Sequence, residues 1–202
     1  MKLAVLGFCA LVSPLVVVAD PVREHQLAAT SSSGELVDQY LTFYGWPDND
    51  PPGNALAYPR RSNTGAVHNT AGGTGTYEDP VSMATDPSEW QVGTRFYIPF
   101  LQKYVVMEDW CAGCVRNWRQ QRRHHIDVWM NSNARVNRSA LVDCQHRWTR
   151  PSVPTELNPP PDRTVDLRPL FDTTTNTCLD DVSVGPADLR LDRLALRPSS
   201  YR

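Results

Sequence analysis

His125-Ile126-Asp127-Val128-Trp129-Met130 alternates apolar side chains with polar or amphipathic ones at every second position. That period of two marks a half-buried β-strand. It places Ile126, Val128 and Met130 on a core-facing side and His125, Asp127 and Trp129 on the other. Three more runs read the same way: residues 40–45 (Tyr-Leu-Thr-Phe-Tyr-Gly), 94–99 (Thr-Arg-Phe-Tyr-Ile-Pro) and 104–108 (Tyr-Val-Val-Met-Glu). Each is short, rich in β-branched and aromatic residues, and bounded by Gly, Pro, Asn or Asp. One window, Asp86 to Gln91, suggests a helix. Short strands without long helices, packed into about 105 residues, predict an all-β fold, a small barrel or sandwich.

The chain has 202 residues and a formal charge of -2, with 41% hydrophobic and 21% charged residues. That balance excludes a disordered chain and a general nucleic-acid binder, and the length suits one domain with tails. Met1-Lys2 precedes an apolar run from Leu3 to Val18, and Val17-Val18-Ala19 supplies small residues for cleavage after Ala19. This is the pattern of a secretory signal peptide over 1–19; Pro14 breaks the run too early for a membrane span, so no membrane association is expected. Residues 20–37, with Ser31-Ser32-Ser33-Gly34, read as a flexible leader, and 38–150 as the barrel domain. The last 52 residues hold eight of the 17 prolines, including Pro159-Pro160-Pro161. Such a segment forms no core of its own, so 151–202 is expected to wrap over the domain, frayed from Arg190 on.

Cys9 leaves with the signal, and Cys111, Cys114, Cys144 and Cys178 remain. An even count in an oxidising compartment indicates two disulfides with three possible connectivities, of which Cys111–Cys114 and Cys144–Cys178 is the expected one. A zinc or redox role for Cys111-x-x-Cys114 lacks a second such pair or a surrounding βαβ pattern. His124 and His125, adjacent on a strand, point to opposite faces and make poor joint ligands, so neither metal nor cofactor is expected. Residues 71–76, Ala-Gly-Gly-Thr-Gly-Thr, lack the Lys and helix of a phosphate loop and read as a tight turn. Asn137-Arg138-Ser139 is a glycosylation sequon of a kind common by chance.

Three segments in order carry a family resemblance. Thr42-Phe43-Tyr44-Gly45-Trp46-Pro47-Asp48 resembles the opening of expansins. Residues 81–98, with Val92-Gly93-Thr94-Arg95, resemble the centre of rare-lipoprotein-A-like barrels. Residues 105–109, Cys111-Ala112-Gly113-Cys114 and 125–129 are similar to the last half of these barrels, to the three-aspartate domain of MltA-type lytic transglycosylases and to family-45-type endoglucanases. The set implies a small six-stranded double-psi β-barrel with long loops and a proline-rich C-terminal tail. Residues 44–53 and 71–77 most resemble secreted fungal muramidase-like proteins. The Arg-rich insert between Cys114 and His124 is longer than in those barrels.

The chemistry expected of such a site is acid–base cleavage of a glycoside. Asp127, a lone carboxyl between Ile and Val and next to Trp129, would have its pKa raised by desolvation, as a general acid requires. A second carboxylate serves as base or nucleophile, and Asp48 and Asp109 are the candidates, with Asp50 and Glu108 behind them. Asp48 also stands where any turn places an Asp, and Asp109 before a disulfide loop is suited to bonding backbone amides. Tyr44, Trp46, His125 and Trp129 are the expected substrate contacts, joined by Arg122 and Arg123 from a basic-aromatic loop that also holds Arg116, Trp118 and Arg119. Arginine pairs bidentately with carboxylates, which peptidoglycan supplies and cellulose does not. The expected protein is a secreted monomeric muramidase. The alternatives are a non-hydrolytic expansin-like protein, a lytic transglycosylase or an endoglucanase.

Overall fold

The computed structural model describes residues 34–180. The expected signal peptide, most of the leader and the end of the tail lie outside the described residues. Six strands close into a barrel: β1 (Glu35–Tyr44), β2 (Val81–Thr85), β3 (Arg95–Ile98), β4 (Lys103–Trp110), β5 (His125–Trp129) and β6 (Arg150–Leu157). Around the barrel they run β1-β5-β2-β4-β3-β6. The pairs β1/β5 and β2/β4 are parallel, and β2/β5, β3/β4, β3/β6 and β1/β6 are antiparallel. Exchanging β1, β2 and β3 with β4, β5 and β6 maps this order and its parallel pairs onto themselves. Two interlocked three-strand halves of that kind make a double-psi β-barrel, and closure leaves no free sheet edge.

Ile126, Val128 and Met130 are fully buried and join Leu41, Phe43, Met83, Phe96, Val105 and Met107 in one core. But β5 is not half-buried as expected: His125 and Trp129 on its other face are covered as well, and only Asp127 is partly exposed. Two boundaries move. β1 begins at Glu35 inside the expected leader, and β6 lies almost wholly in the segment read as tail. Pro151 and Pro154 argue against a strand, yet only alternate residues of β6 bond each neighbour, and Asp38 pairs opposite Pro154 along β1. Glu156 and Thr155 are buried there although neither is apolar.

The helix reading is corrected. Residues 86–91 make a single turn, in which the amides of Glu89 and Trp90 both bond the Asp86 carbonyl. The helices are α1 (Ala112–Gln121) and α2 (Arg138–Trp148). The arginine-rich insert is therefore α1 rather than a loop. Cys111 caps it, its Sγ accepting from the Cys114 amide, and Arg122 ends it in the left-handed region at φ 53°. Asn137 caps α2 by accepting from the Ala140 amide.

Both expected disulfides are present, Cys111–Cys114 and Cys144–Cys178. The second ties the hairpin β7 (Phe171–Asp172) and β8 (Thr177–Cys178) to α2. Residues 158–170 form a strap without regular structure. Its carbonyls accept from barrel side chains: Thr164 from the Tyr97 hydroxyl at 2.7 Å and Pro160 from that of Tyr104 at 2.5 Å. Arg163 grips Glu156 with two nitrogens at 2.7 and 2.5 Å.

Candidate active site

The parallel pairing of β1 with β5 sets three residue pairs in a row on the outward side of the core. Tyr40 faces His125, Thr42 faces Asp127 and Tyr44 faces Trp129. Tyr40 and His125 lie ring to ring at 4.4 Å, and Tyr44 meets Trp129 edge-on at 5.2 Å. Between these aromatic pairs the Thr42 hydroxyl donates to Asp127 Oδ1 at 2.7 Å.

A cleft of about 540 Å³ opens over this row and the end of β4. It collects all three sequence-predicted carboxyl groups, Asp48, Asp109 and Asp127, together with Tyr44 and His125. Small residues, including Ala57, Ala84, Ala112 and Gly113, keep the rest of its wall low.

Asp127 holds its proton to about pH 7 instead of the usual 3.8. Burial is the main cause, the Thr42 hydrogen bond opposes it, and the charges of Asp48 and Asp109 add to it. His125 moves the other way, down to about 4, because it too is buried and Arg123 and Arg116 lie near. A neutral imidazole fixes the direction of a short relay. The Thr42 hydroxyl donates its hydrogen bond to Asp127 Oδ1, so its oxygen accepts from His125 Nε2–H at 2.9 Å. His125 Nδ1 is then left to accept from Asn117 Nδ2 at 2.9 Å. The relay runs Asn117 to His125 to Thr42 to Asp127, which lines the cleft, and among the described residues Asp127 Oδ2 has no hydrogen-bond partner.

Asp109 is buried and saturated. Its Oδ1 accepts from the amides of Ala57 and Trp110, and its Oδ2 from the Tyr44 hydroxyl, each at 2.9 Å. Burial outweighs these bonds and raises its pKa above the usual value. Asp48 is exposed at the rim, held by the Gly45 amide at 3.1 Å and by Gln145 Nε2 at 2.9 Å. Partial desolvation raises its pKa as well, against the pull of those two donors. Asp50 also lines the cleft. Glu108 does not. It points away beneath residues 67 and 68, where His68 Nδ1 and Ser82 donate to it at 2.8 Å, and the opposite nitrogen of His68 meets Asp79 at 2.9 Å.

Residues 36–179 match the family described as the DDB_G0273701 N-terminal domain, which is most of the chain. The chain belongs to that family. An uncharacterized protein of Dictyostelium discoideum, DDB_G0273701/DDB_G0273221, is 31% identical over 153 residues, 76% of this chain. The chain spans 64% of that relative's length. No solved structure matches it.

In this DDB_G0273701-type barrel the remaining predicted contacts are sorted by packing. Trp129 is 3% exposed, packs edge-on against Tyr44 and does not line the cleft. Trp46 packs against the core, its amide bonded to Ser132 Oγ. Arg122 lies over the Trp118 ring and Arg123 over that of Tyr40, and neither lines the cleft. Arg119 turns to Asp86 at 3.5 Å. Arg116 does not line the cleft either, but its guanidinium lies 3.9 Å from where a Cβ on the lining residue Gly113 would stand.

Trp110 was missed in the sequence: it is 51% exposed and lines the cleft beside Asp109. A tryptophan closing a strand just before a disulfide carries a weak signal, its exposure none. Thr42 and Asn117 were missed as partners of the site because register and helix placement, neither visible locally, bring them to His125. Cys111, Cys114 and His125 lie with ligand atoms within 4.8 Å of one another. The two sulfurs are bonded to each other and offer no thiolate to a metal. Among the described residues no helix is long and apolar enough to cross a membrane.

Proposed function

We propose that this protein is a secreted wall-glycan hydrolase, a muramidase acting on β-1,4 bonds of peptidoglycan with Asp127 as general acid. The observation that carries the reading is a carboxyl group that keeps its proton to about pH 7 in an open cleft with two further carboxyl groups. An acid with a pKa near the working pH both holds the proton and gives it up readily. Asp127 Oδ2 donates to the departing glycosidic oxygen while the relay through Thr42 fixes the other oxygen. Asp48, exposed at the rim, acts as base on a water attacking from the opposite face. Asp109, saturated by three donors, anchors Tyr44 and helps hold the Asp127 proton in place. Trp110 provides a flat face for a sugar ring, and Arg116 a cation for a lactyl or peptide carboxylate.

The resemblance of residues 42–48, 81–98 and 105–129 to expansins, rare-lipoprotein-A-like barrels and family-45-type endoglucanases supports a wall polysaccharide. The segment 1–19 supports secretion. One observation favours a lytic transglycosylase as the second reading. Asp48 and Asp109 are both held by fold-building hydrogen bonds, and a transglycosylase needs a single acid because the substrate's own hydroxyl attacks. Digesting purified peptidoglycan, chitosan and β-glucan and reading the new ends by mass spectrometry separates the readings. New reducing ends on peptidoglycan support the muramidase, and 1,6-anhydro ends the transglycosylase. Cleavage of β-glucan alone points to an endoglucanase, and no cleavage to a binding or loosening protein.

A further inference from the structure

A second cavity, of about 270 Å³, lies between the barrel wall and the strap. Val81, Val128 and Met130 line it from the barrel and Leu167 and Leu170 from the strap, with Thr74, Asn131 and Arg168 adding polar groups. Into this mixed lining the fold sets Lys103, which is 4% exposed. Its ammonium donates to the backbone carbonyl of Asp166. The Asp166 carboxylate is taken by Arg168, at 2.7 Å from one guanidinium nitrogen, and among the described residues Lys103 forms no ion pair. An ammonium has three donors, and a buried one without a counter-charge is costly. Desolvation accordingly pulls the Lys103 pKa below the usual 10.5, with Arg168 adding to it and Asp166 opposing. Lys103 opens β4 and Asp109 and Trp110 close it, so at the usual rise per residue this cavity lies roughly 20 Å along the strand from the cleft.

We infer that this cavity is a binding site for a small carboxylate with an apolar body, Lys103 pairing with the carboxylate and the aliphatic walls enclosing the rest. The inference is independent of the proposed glycan hydrolysis. A short acyl anion supplies the missing counter-charge and an alkyl chain for Val81, Val128, Met130 and Leu170. Leu167, 65% exposed on the strap, marks the mouth through which such a ligand enters.

The test uses hexanoate and hexanamide, which share a chain and differ in charge, titrated by calorimetry into the mature protein. In parallel, amine acetylation is mapped by mass spectrometry. The sequence holds lysines only at positions 2 and 103, so the Lys103 signal is unambiguous. Hexanoate is expected to bind saturably, hexanamide about tenfold or more weaker, and Lys103→Met to lose a similar factor. Hexanoate should also slow Lys103 acetylation in the unmodified protein, a readout that stands even if Lys103→Met does not fold. Absence of saturable hexanoate binding, equal binding of the amide, or acetylation of Lys103 unaffected by hexanoate would each overturn the inference.

Discussion

Replacing Asp127 by Asn removes a carboxyl group whose ionisation the fold resists, and the consequence is a stability gain confined to high pH. In the unfolded chain an aspartate titrates near 3.9, whereas in the folded protein Asp127 titrates at about 7. Between those values the folded state binds a proton that the unfolded state has released. Stability therefore falls as pH rises from about 4, by about 1.4 kcal/mol per pH unit, and levels off above 7. The full difference is about 4 kcal/mol. The Asn variant keeps an acceptor for the Thr42 hydroxyl and has nothing to ionise. It should match the unmodified protein at pH 4 and exceed it by about 4 kcal/mol at pH 8, roughly 8–16 °C in melting temperature for a domain of this size. His125, held down to about 4, acts in the opposite sense between 4 and 6.5, but it is present in both proteins and cancels in the comparison. Denaturant unfolding under non-reducing conditions at pH 4, 6 and 8, followed by tryptophan fluorescence, measures this difference. Peptidoglycan cleavage by the same variant should drop by about 10² or more, and that of the unmodified protein should decline above pH 7 as the acid loses its proton. Parallel stability curves for the two proteins, or an Asp127 carboxyl carbon titrating near pH 4 by NMR, would refute the reasoning.

Trp110→Ala should leave melting unchanged, because half of the ring is already in solvent, and raise KM on wall glycan several-fold, read from initial rates. Arg116→Gln should raise KM on peptidoglycan and spare kcat, and about 0.3 M salt should mimic it; Arg122→Gln and Arg123→Gln, stacked on Trp118 and Tyr40, should change neither, and β-glucan serves as the neutral control. His68 links Glu108 to Asp79, its own pKa raised chiefly by Glu108 while both carboxylates are depressed by their donors. Its contribution is lost as pH falls through the two carboxylates and again as pH rises through His68, so His68→Ala should cost about 2 kcal/mol, most clearly between pH 4.5 and 6.5 in denaturant titrations. The Cys144–Cys178 bridge joins residues 34 apart, and replacing both by Ala should lower stability by about 3–4 kcal/mol at neutral pH.

The period-two run at residues 125–130 determined by itself that a strand lies there, which side is core, and that Asp127 stands apart from the apolar side. Alternation is a property of neighbouring residues, and no long-range information is needed to read it. The count of four cysteines predicted two disulfides, and the structure selects the expected pairing from the three possible. The proline-bearing β6 was invisible, since only the closed barrel supplies the two neighbours that make residues 150–157 a strand. α1 was missed for a related reason. Its apolar positions are few, and its start is set by a cysteine whose sulfur caps it rather than by Ser, Thr or Asp. Tertiary structure alone decided the site's composition. Parallel register put Thr42 against Asp127, the bulged β2/β4 pairing sent Asp109 into the cleft and Glu108 away from it, and the packing of the segment after α1 set Arg123 over the Tyr40 ring. Each of these outcomes depends on which distant backbone lies alongside, a relation the order of residues encodes only through the folded chain.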